Sequence, residues 1–583
     1  MEKADRKPDR SIDRRTFLKR GLAAGAVAGA GAGIWAATSS GPSHAPPNIL
    51  VIVVDQLRFP QWFSPASLGG PGLPPNLANL RAGSVSFERH YTASNDCTPA
   101  RSTLLTGLYT HQTGCMITGG STLDPGFPTW GTMLREQGYQ TFWYGKWHLV
   151  HGDRRWNEES GPPMLDRYGF SGGTFPSPNG GPGQGWRVDP HIAAQFERWF
   201  AGHAARGPWC TTVSLVNPHD VSWWYDWTDR IAPERHAPSV VTNLPPNFET
   251  PEQLIARRKP ILQRSLQSTS ARAFGAVPFR GNAAVAIWLG FLDLYVKLQE
   301  EVDANIGRVL RTLHSNPKVA ANTVIVFTSD HGEYGASHGL RGKGASAYEE
   351  GIRVPLMVRD PRGVLTRARE RARTQLTSSV DVAPLLLTIA SGSSDWRSDS
   401  HYSQIAGRLD LARILREPDA PGRPHILYAT DEILTEFATE TYAANAPLHI
   451  TALRTADAKY ATYSNWRRGT IEVQAHRQES ELYDYETRAG RLEVDNRAGV
   501  NAREEALRAK LEDAVANELR ETLPQRLLAA QARGFRDYLE IARRTARVAA
   551  TLRRLRLQTV GPPPPPLPQP PPPRARRRAH RHR

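Results

Sequence analysis

The sequence predicts an α/β fold with parallel central strands and a smaller antiparallel sheet toward the C-terminus. Three observations carry that reading. Asn48-Ile49-Leu50-Val51-Ile52-Val53-Val54 is an unbroken apolar run rich in β-branched residues, the mark of a strand buried on both faces, and it ends in Asp55-Gln56. The pattern recurs about 275 residues later, where Thr323–Ser329 ends in Asp330-His331. Short strand-like pieces then follow at 425–429, 449–454, 459–463 and 481–485, as in a small antiparallel sheet.

The chain has 583 residues, 39% of them hydrophobic, enough for one large domain and a smaller one. Its formal net charge of +16 sits at the ends, and only +3 belongs to residues 21–550. A nucleic-acid enzyme spreads cations over a folded face, so no nucleic-acid partner is expected. Three cysteines, Cys97, Cys115 and Cys210, cannot make a disulfide framework in so long a chain, although one pair could form.

Residues 1–45 read as a targeting segment. Asp13-Arg14-Arg15-Thr16-Phe17-Leu18-Lys19 resembles a twin-arginine export signal, and Gly21 to Ala37 is an uncharged run of mostly small residues. That run is weakly apolar and short for a span, so the expected partner is the twin-arginine translocase. The destination is the periplasm, cell envelope or medium, with a membrane anchor at 21–37 as the alternative. The rest divides into a large domain at 46–390, an antiparallel-sheet subdomain at 391–500 and a helix-prone segment at 501–557. A proline-rich then arginine-rich tail at 558–583, expected to be disordered, closes the chain and offers contact with anionic envelope polymers.

Chemistry concentrates in Asn95-Asp96-Cys97-Thr98-Pro99-Ala100-Arg101 and the following Ser102 to Gly107. Pro99 suits the first turn of a helix and Gly107 its end after about two turns, which puts Cys97 just ahead of a helix N-terminus, where unpaired N–H groups and Arg101 favour an anion. In open α/β sheets ligands bind beyond the carboxyl ends of strands, where Asp55 and Asp330 fall. Two acids there with the adjacent His331 look like a divalent-metal site. Further strand ends deliver Lys146 and His148 after residues 138–145, and His219 after 210–216. A Gly-rich loop after Asp330 adds Lys343.

These residues carry a family resemblance. Cys97-Thr98-Pro99-Ala100-Arg101 with Leu104-Leu105-Thr106-Gly107 resembles the first sulfatase signature, and Gly138-Tyr139 through Gly145-Lys146-Trp147-His148 resembles the second. The order Asp55, Cys97, Lys146, His148, His219, Asp330-His331, Lys343 is also the family's. The resemblance implies an alkaline-phosphatase-like fold, a large mixed and mostly parallel sheet between helices with a smaller C-terminal subdomain. It also implies a type I sulfatase, in which a formylglycine-generating enzyme oxidises Cys97 and the aldehyde hydrate attacks the sulfur of a small-molecule sulfate ester. Asp55, Gln56, Cys97, Asp330 and His331 would then surround one divalent metal, Ca2+ first, with Mn2+ or Mg2+ as alternatives. Arg101 would hold the diol, Lys146 and Lys343 would bind sulfate, His219 would be the general acid and His148 would orient the diol.

Two departures stand out. Many relatives have paired aspartates where this chain has Asp55-Gln56, and Asp-Asn where it has Asp330-His331. The chain thus also resembles a branch containing choline-sulfatase-like enzymes and phosphonate monoester hydrolases, which keeps phosphonate monoester or phosphodiester hydrolysis open as a second activity. A non-enzymatic envelope-binding protein is the third reading. Between the motifs, Phe175–Trp186 is expected to be an irregular loop, 284–313 a scaffold helix, and the aromatic stretch Ser222–Trp227 either packing or a pocket wall.

Overall fold

The computed structural model describes residues 46–59, 72–226, 228, 237–366, 371–433 and 441–558. The targeting segment, the tail beyond residue 558 and Trp227 lie outside the described residues.

Twelve strands among the described residues form two sheets. The large one runs β4 (Ser171–Gly172), β3 (Gln140–Gly145), β5 (Trp209–Leu215), β1 (Asn48–Val54), β6 (Thr323–Ser329), β7 (Leu356–Arg359), β2 (Val85–Tyr91), β8 (Arg371–Ser378). Only β7 runs against its neighbours, so the sheet is mixed and mostly parallel. β1 lies at its centre with Val54 opposite both Leu215 and Ser329, which brings the carboxyl ends of β5, β1 and β6 level. That register places Asp55 and Asp330 side by side.

β1 shows why the run had to be apolar throughout. Ile49, Val51 and Val53 enter one core while Leu50, Ile52 and Val54 enter another on the opposite face. The first core is closed by α1 (Cys97–Thr106), α2 (Trp130–Glu136) and α5 (Val382–Ser391). The second is closed by α3 (Gln184–His203) and the 33-residue α4 (Asn282–His314), which covers the expected scaffold helix. The loop expected over Phe175–Trp186 stops earlier, because Gln184, Gly185 and Trp186 already form the first turn of α3. Gln184 Oε1 accepts from the amides of Asn179, Gly180 and Gly181, which makes it the anchor of that loop.

The small sheet is antiparallel, ordered β12 (Val473–Asp484), β11 (Ala458–Trp466), β10 (His449–Arg454), β9 (Ile426–Thr430). One face packs on Tyr334, Tyr348, Leu262 and Leu266 of the large domain, and the other on α6 (Glu504–Ala514). Residues between the sheets do not separate the two units. Trp396, Tyr402, Ile405, Leu411 and Leu415 all enter the first core, so a boundary at residue 391 cuts through that core and the small sheet itself starts at Ile426. Cys97, Cys115 and Cys210 are all buried, and no disulfide joins any two of them. No described helix is long and apolar enough to cross a membrane.

The last helix, α7 (Gln525–Gln558), lies across the loop after α1. Gly114, at φ 72, and Gly534 meet backbone to backbone: a Cβ on Gly534 would sit 2.3 Å from the Thr113 carbonyl oxygen. Beside that contact, Phe535, Tyr538, Leu539 and Ile541 pack on Met116 and Ile117. Gly534→Val should therefore lift α7 and cost about 1–3 kcal/mol, the usual range for forced overpacking. Thermal unfolding and limited proteolysis between residues 520 and 534 would show it; an unchanged melting curve would contradict the close contact.

Candidate active site

α1 begins at Cys97 with Asp96 as its extended N-cap, and Gly107 ends it in the left-handed conformation at φ 71. Gly107 ends the helix as expected, but the helix already starts at Cys97, which lies in its first turn rather than just ahead of it. Every residue of α1 is buried, so the side chains one turn apart, Cys97 and Arg101, face the sheet edge together.

The Cys97 thiol lies 3.1 Å from His331 Nε2, 3.5 Å from Lys146 Nζ and 3.9 Å from Asp55 Oδ1. Arg101 binds Asp55 Oδ2 at 2.9 Å through Nη2 and meets Asp330 Oδ2 at 2.9 Å through Nε. Its Nη1 donates to the Lys146 carbonyl and to Ser214 Oγ. Lys146 Nζ reaches Asp55 Oδ2 at 2.6 Å. The sequence thus brings Asp55, Cys97, Arg101, Lys146, Asp330 and His331 into one buried cluster. Burial alone would raise the Asp55 carboxyl, but Lys146, His219, Arg101 and His331 outweigh it and hold the pKa well below the usual range. Burial holds the His331 imidazole below its ordinary value, with Asp330 opposing and Lys343 reinforcing that shift.

One donor atom each from Asp55, Cys97, Asp330 and His331 lies within 4.8 Å of all the others. An anionic carboxylate and a neutral imidazole both offer lone pairs. Asp330 Oδ2 is fully buried, and its approach to Arg101 lacks hydrogen-bond geometry, so that oxygen keeps acceptor capacity toward the cluster. This donor set fits a divalent cation. Gln56 stands differently. Its Oε1 accepts from Lys343 Nζ at 2.6 Å and Ser222 Oγ at 3.0 Å, so in this arrangement its oxygen serves Lys343. Its Nε2 donates to the buried Glu333, and its backbone, at φ 65, is held by Asp330 and Tyr295.

His219 is fully buried, and Gly180 of the loop before α3 lies against its ring. His148 takes φ 55, and its Nε2 lies 3.6 Å from where a Cβ on Gly119 would stand. The aromatic stretch behaves as packing at Trp224, which is buried against Trp288 and Phe291, while Trp223 donates to the Gly180 carbonyl. Reading motifs alone missed Ser214, Glu333, Tyr295 and Gly180. Ser214 and Tyr295 lie in a strand and a helix whose patterns account for their burial without pointing to a site, whereas the run of glycines and prolines on either side of Asn179 marks that loop as special.

Fold and site together define a member of the alkaline phosphatase-like superfamily. Residues 47–393, more than half of the chain, match the family model for Sulfatase, and the protein belongs to the sulfatase family. It is similar to the uncharacterized sulfatase YidJ of Escherichia coli (strain K12), at 27% identity over 54% of this chain and 62% of that one. It is likewise similar to the choline-sulfatase of Rhizobium meliloti (strain 1021), at 27% identity over 59% of this chain and 67% of that one. The matched region thus spans about two thirds of these relatives or slightly less. A phosphonate monoester hydrolase from Silicibacter pomeroyi shares the fold with a TM-score of 0.60 at 21% identity, covering 82% of this chain and 96% of that chain.

Gly180 gives a direct test of the His219 placement. A Cβ there would stand 2.5 Å from the ring Cε1, at a φ of 86 that L-residues rarely adopt. Gly180→Ala should displace the ring and lower turnover at least about tenfold. Turnover equal to the unsubstituted protein would show that the ring position is unimportant.

Proposed function

We propose that this protein hydrolyses a small-molecule sulfate ester, using position 97 after its conversion to formylglycine. The observation that carries the proposal is the surrounding of Cys97 Sγ by Lys146, His331 and Asp55 at the head of α1, within a sulfatase family match. The matching cysteine signature supports a formylglycine-generating enzyme as partner, and the hydrated aldehyde would supply the nucleophilic oxygen. A divalent ion held by Asp55, Asp330, His331 and position 97 would lower the pKa of that oxygen's proton and neutralise charge on sulfate.

The chain's own residues do the rest. Arg101 fixes both carboxylates and carries the fixed positive charge of the cluster. Lys146, 3.5 Å from Sγ, places an ammonium beside the attacking position, where it offsets charge on the sulfate oxygens. Lys343, held by Gln56, is the second ammonium for the sulfate. His219 holds a proton for the departing alcohol, and His148 orients the nucleophile. Burial of the whole cluster excludes water until substrate enters, which strengthens each of these interactions.

The decisive experiment uses natively produced protein and pairs an aryl sulfate with an aryl phosphonate monoester. Sulfate turnover should dominate, chelation should abolish it, and Cys97→Ala should remove it with folding intact. Mass spectrometry of the tryptic peptide His90–Arg101 should show the aldehyde. Phosphonate turnover larger by orders of magnitude would transfer the assignment to phosphonate monoester hydrolysis, and an unmodified cysteine in active protein would end the formylglycine mechanism.

Export by the twin-arginine route to the periplasm, envelope or medium belongs to the same proposal, supported by Arg14-Arg15 and the uncharged run 21–37. Replacing both arginines with lysine should retain the protein in the cytoplasm. Unchanged export would refute the route.

A further inference from the structure

Two of the histidines in the candidate site are held in place from behind, and their supports converge on one atom. His148 adopts φ 55, a conformation that a non-glycine residue keeps only where neighbours enforce it. The enforcing contact is visible: the His148 amide donates to Asp153 Oδ2 at 2.8 Å. Asp153 is only 2% exposed and opens a short 3-10 turn, Asp153–Arg155. The same Oδ2 accepts from Ser177 Oγ at 3.2 Å. Ser177 belongs to the loop whose Gly180 lies on the His219 ring.

One carboxylate oxygen therefore ties a strained backbone after β3 to the loop that backs His219. We infer that Asp153 is the positioning residue for both His148 and His219, acting through the His148 amide and the Ser177 hydroxyl without touching substrate. The inference rests on the sulfate ester reading for its kinetic test. Three features separate it from an ordinary turn-stabilising aspartate. Its carboxylate accepts from the amide of a residue five positions earlier that sits in the left-handed region. Its second bond bridges to a loop 24 residues away. Lys146 also acts on it electrostatically, while burial lifts its carboxyl to about 6, so the fold spends desolvation to keep an acid here.

The test is a double-mutant cycle on the natively produced, modified protein. Asp153→Ala should lower kcat for an aryl sulfate about 10- to 100-fold, the scale expected for a misplaced group, with KM within about threefold. Asp153→Asn keeps an acceptor oxygen and should restore most of the rate. Because Asp153 acts partly through His148 and partly through the loop behind His219, Asp153→Ala should cost less in a His148→Ala background than it does alone, the remaining loss being the His219 half. Fully additive losses, or Asp153→Asn as inactive as Asp153→Ala, would overturn the inference.

A crystal structure of Asp153→Ala decides the geometry independently of any substrate. Residue 148 should leave positive φ and the Ser177 loop should shift; unchanged positions would refute the positioning role. If Asp153→Ala does not fold, Ser177→Ala carries the loop half, with a displaced Gly180 expected and an unmoved one overturning it. Absence of sulfatase activity in the unsubstituted protein would instead count against the functional reading, leaving the structural comparison to judge Asp153.

Discussion

The site depends on one guanidinium. Arg101 touches Asp55 after β1, Asp330 after β6, the Lys146 carbonyl after β3 and Ser214 in β5, the four strands that lie side by side at the centre of the sheet. Without it, two carboxylates would face each other in a fully buried cluster, and a buried charge stripped of its partner commonly costs about 3–5 kcal/mol. A planar donor with several N–H groups in fixed directions is what can serve four strand ends at once; a lysine there could not. The formal charges of Asp55, Asp330, Arg101 and Lys146 cancel. A divalent cation held there would bring uncompensated charge into the cluster, and an anionic ligand would offset it.

The strand ends and the helix that starts at Cys97 are legible in the sequence because each has a local cause. A strand buried on both faces must be apolar throughout, so β1 and β6 stand out, and the acids that end them fall in register because the sheet is parallel. Pro99 and Gly107 bracket α1 for backbone reasons that hold wherever they occur. What stays hidden has long-range causes. Glu333, Tyr295 and Ser222 all act on Gln56 from more than 160 positions away, and nothing in a hydrophobic pattern encodes a hydrogen bond across that separation. Gln56 shows the consequence: residue type suggests a metal ligand, whereas its neighbours turn its oxygen to Lys343.

The boundary between the two sheets escapes a reading of composition for a related reason. A polar stretch marks residues 391–403, yet Trp396 and Tyr402 carry the chain back into the first core. Polarity at the surface of short helical turns does not separate domains when one apolar side chain per turn remains inserted. The small sheet is likewise no independent unit, since its inner face is completed by Tyr334 and Tyr348 of the loop region that also bears Lys343.

The contact of Gly534 with Gly114 has a bearing on how the molecule is made. The loop that continues from Met116 and Ile117 to Gly119, against which His148 rests, receives its outer packing from α7. The ribosome delivers that helix more than 400 residues after the loop it covers. The helix that starts at Cys97 and the central strands can assemble while the chain is still emerging, since domains fold as synthesis proceeds. The outer packing of that loop must wait for α7, so a nascent chain stopped before residue 525 would carry the buried cluster around Cys97 with the neighbouring loop uncovered.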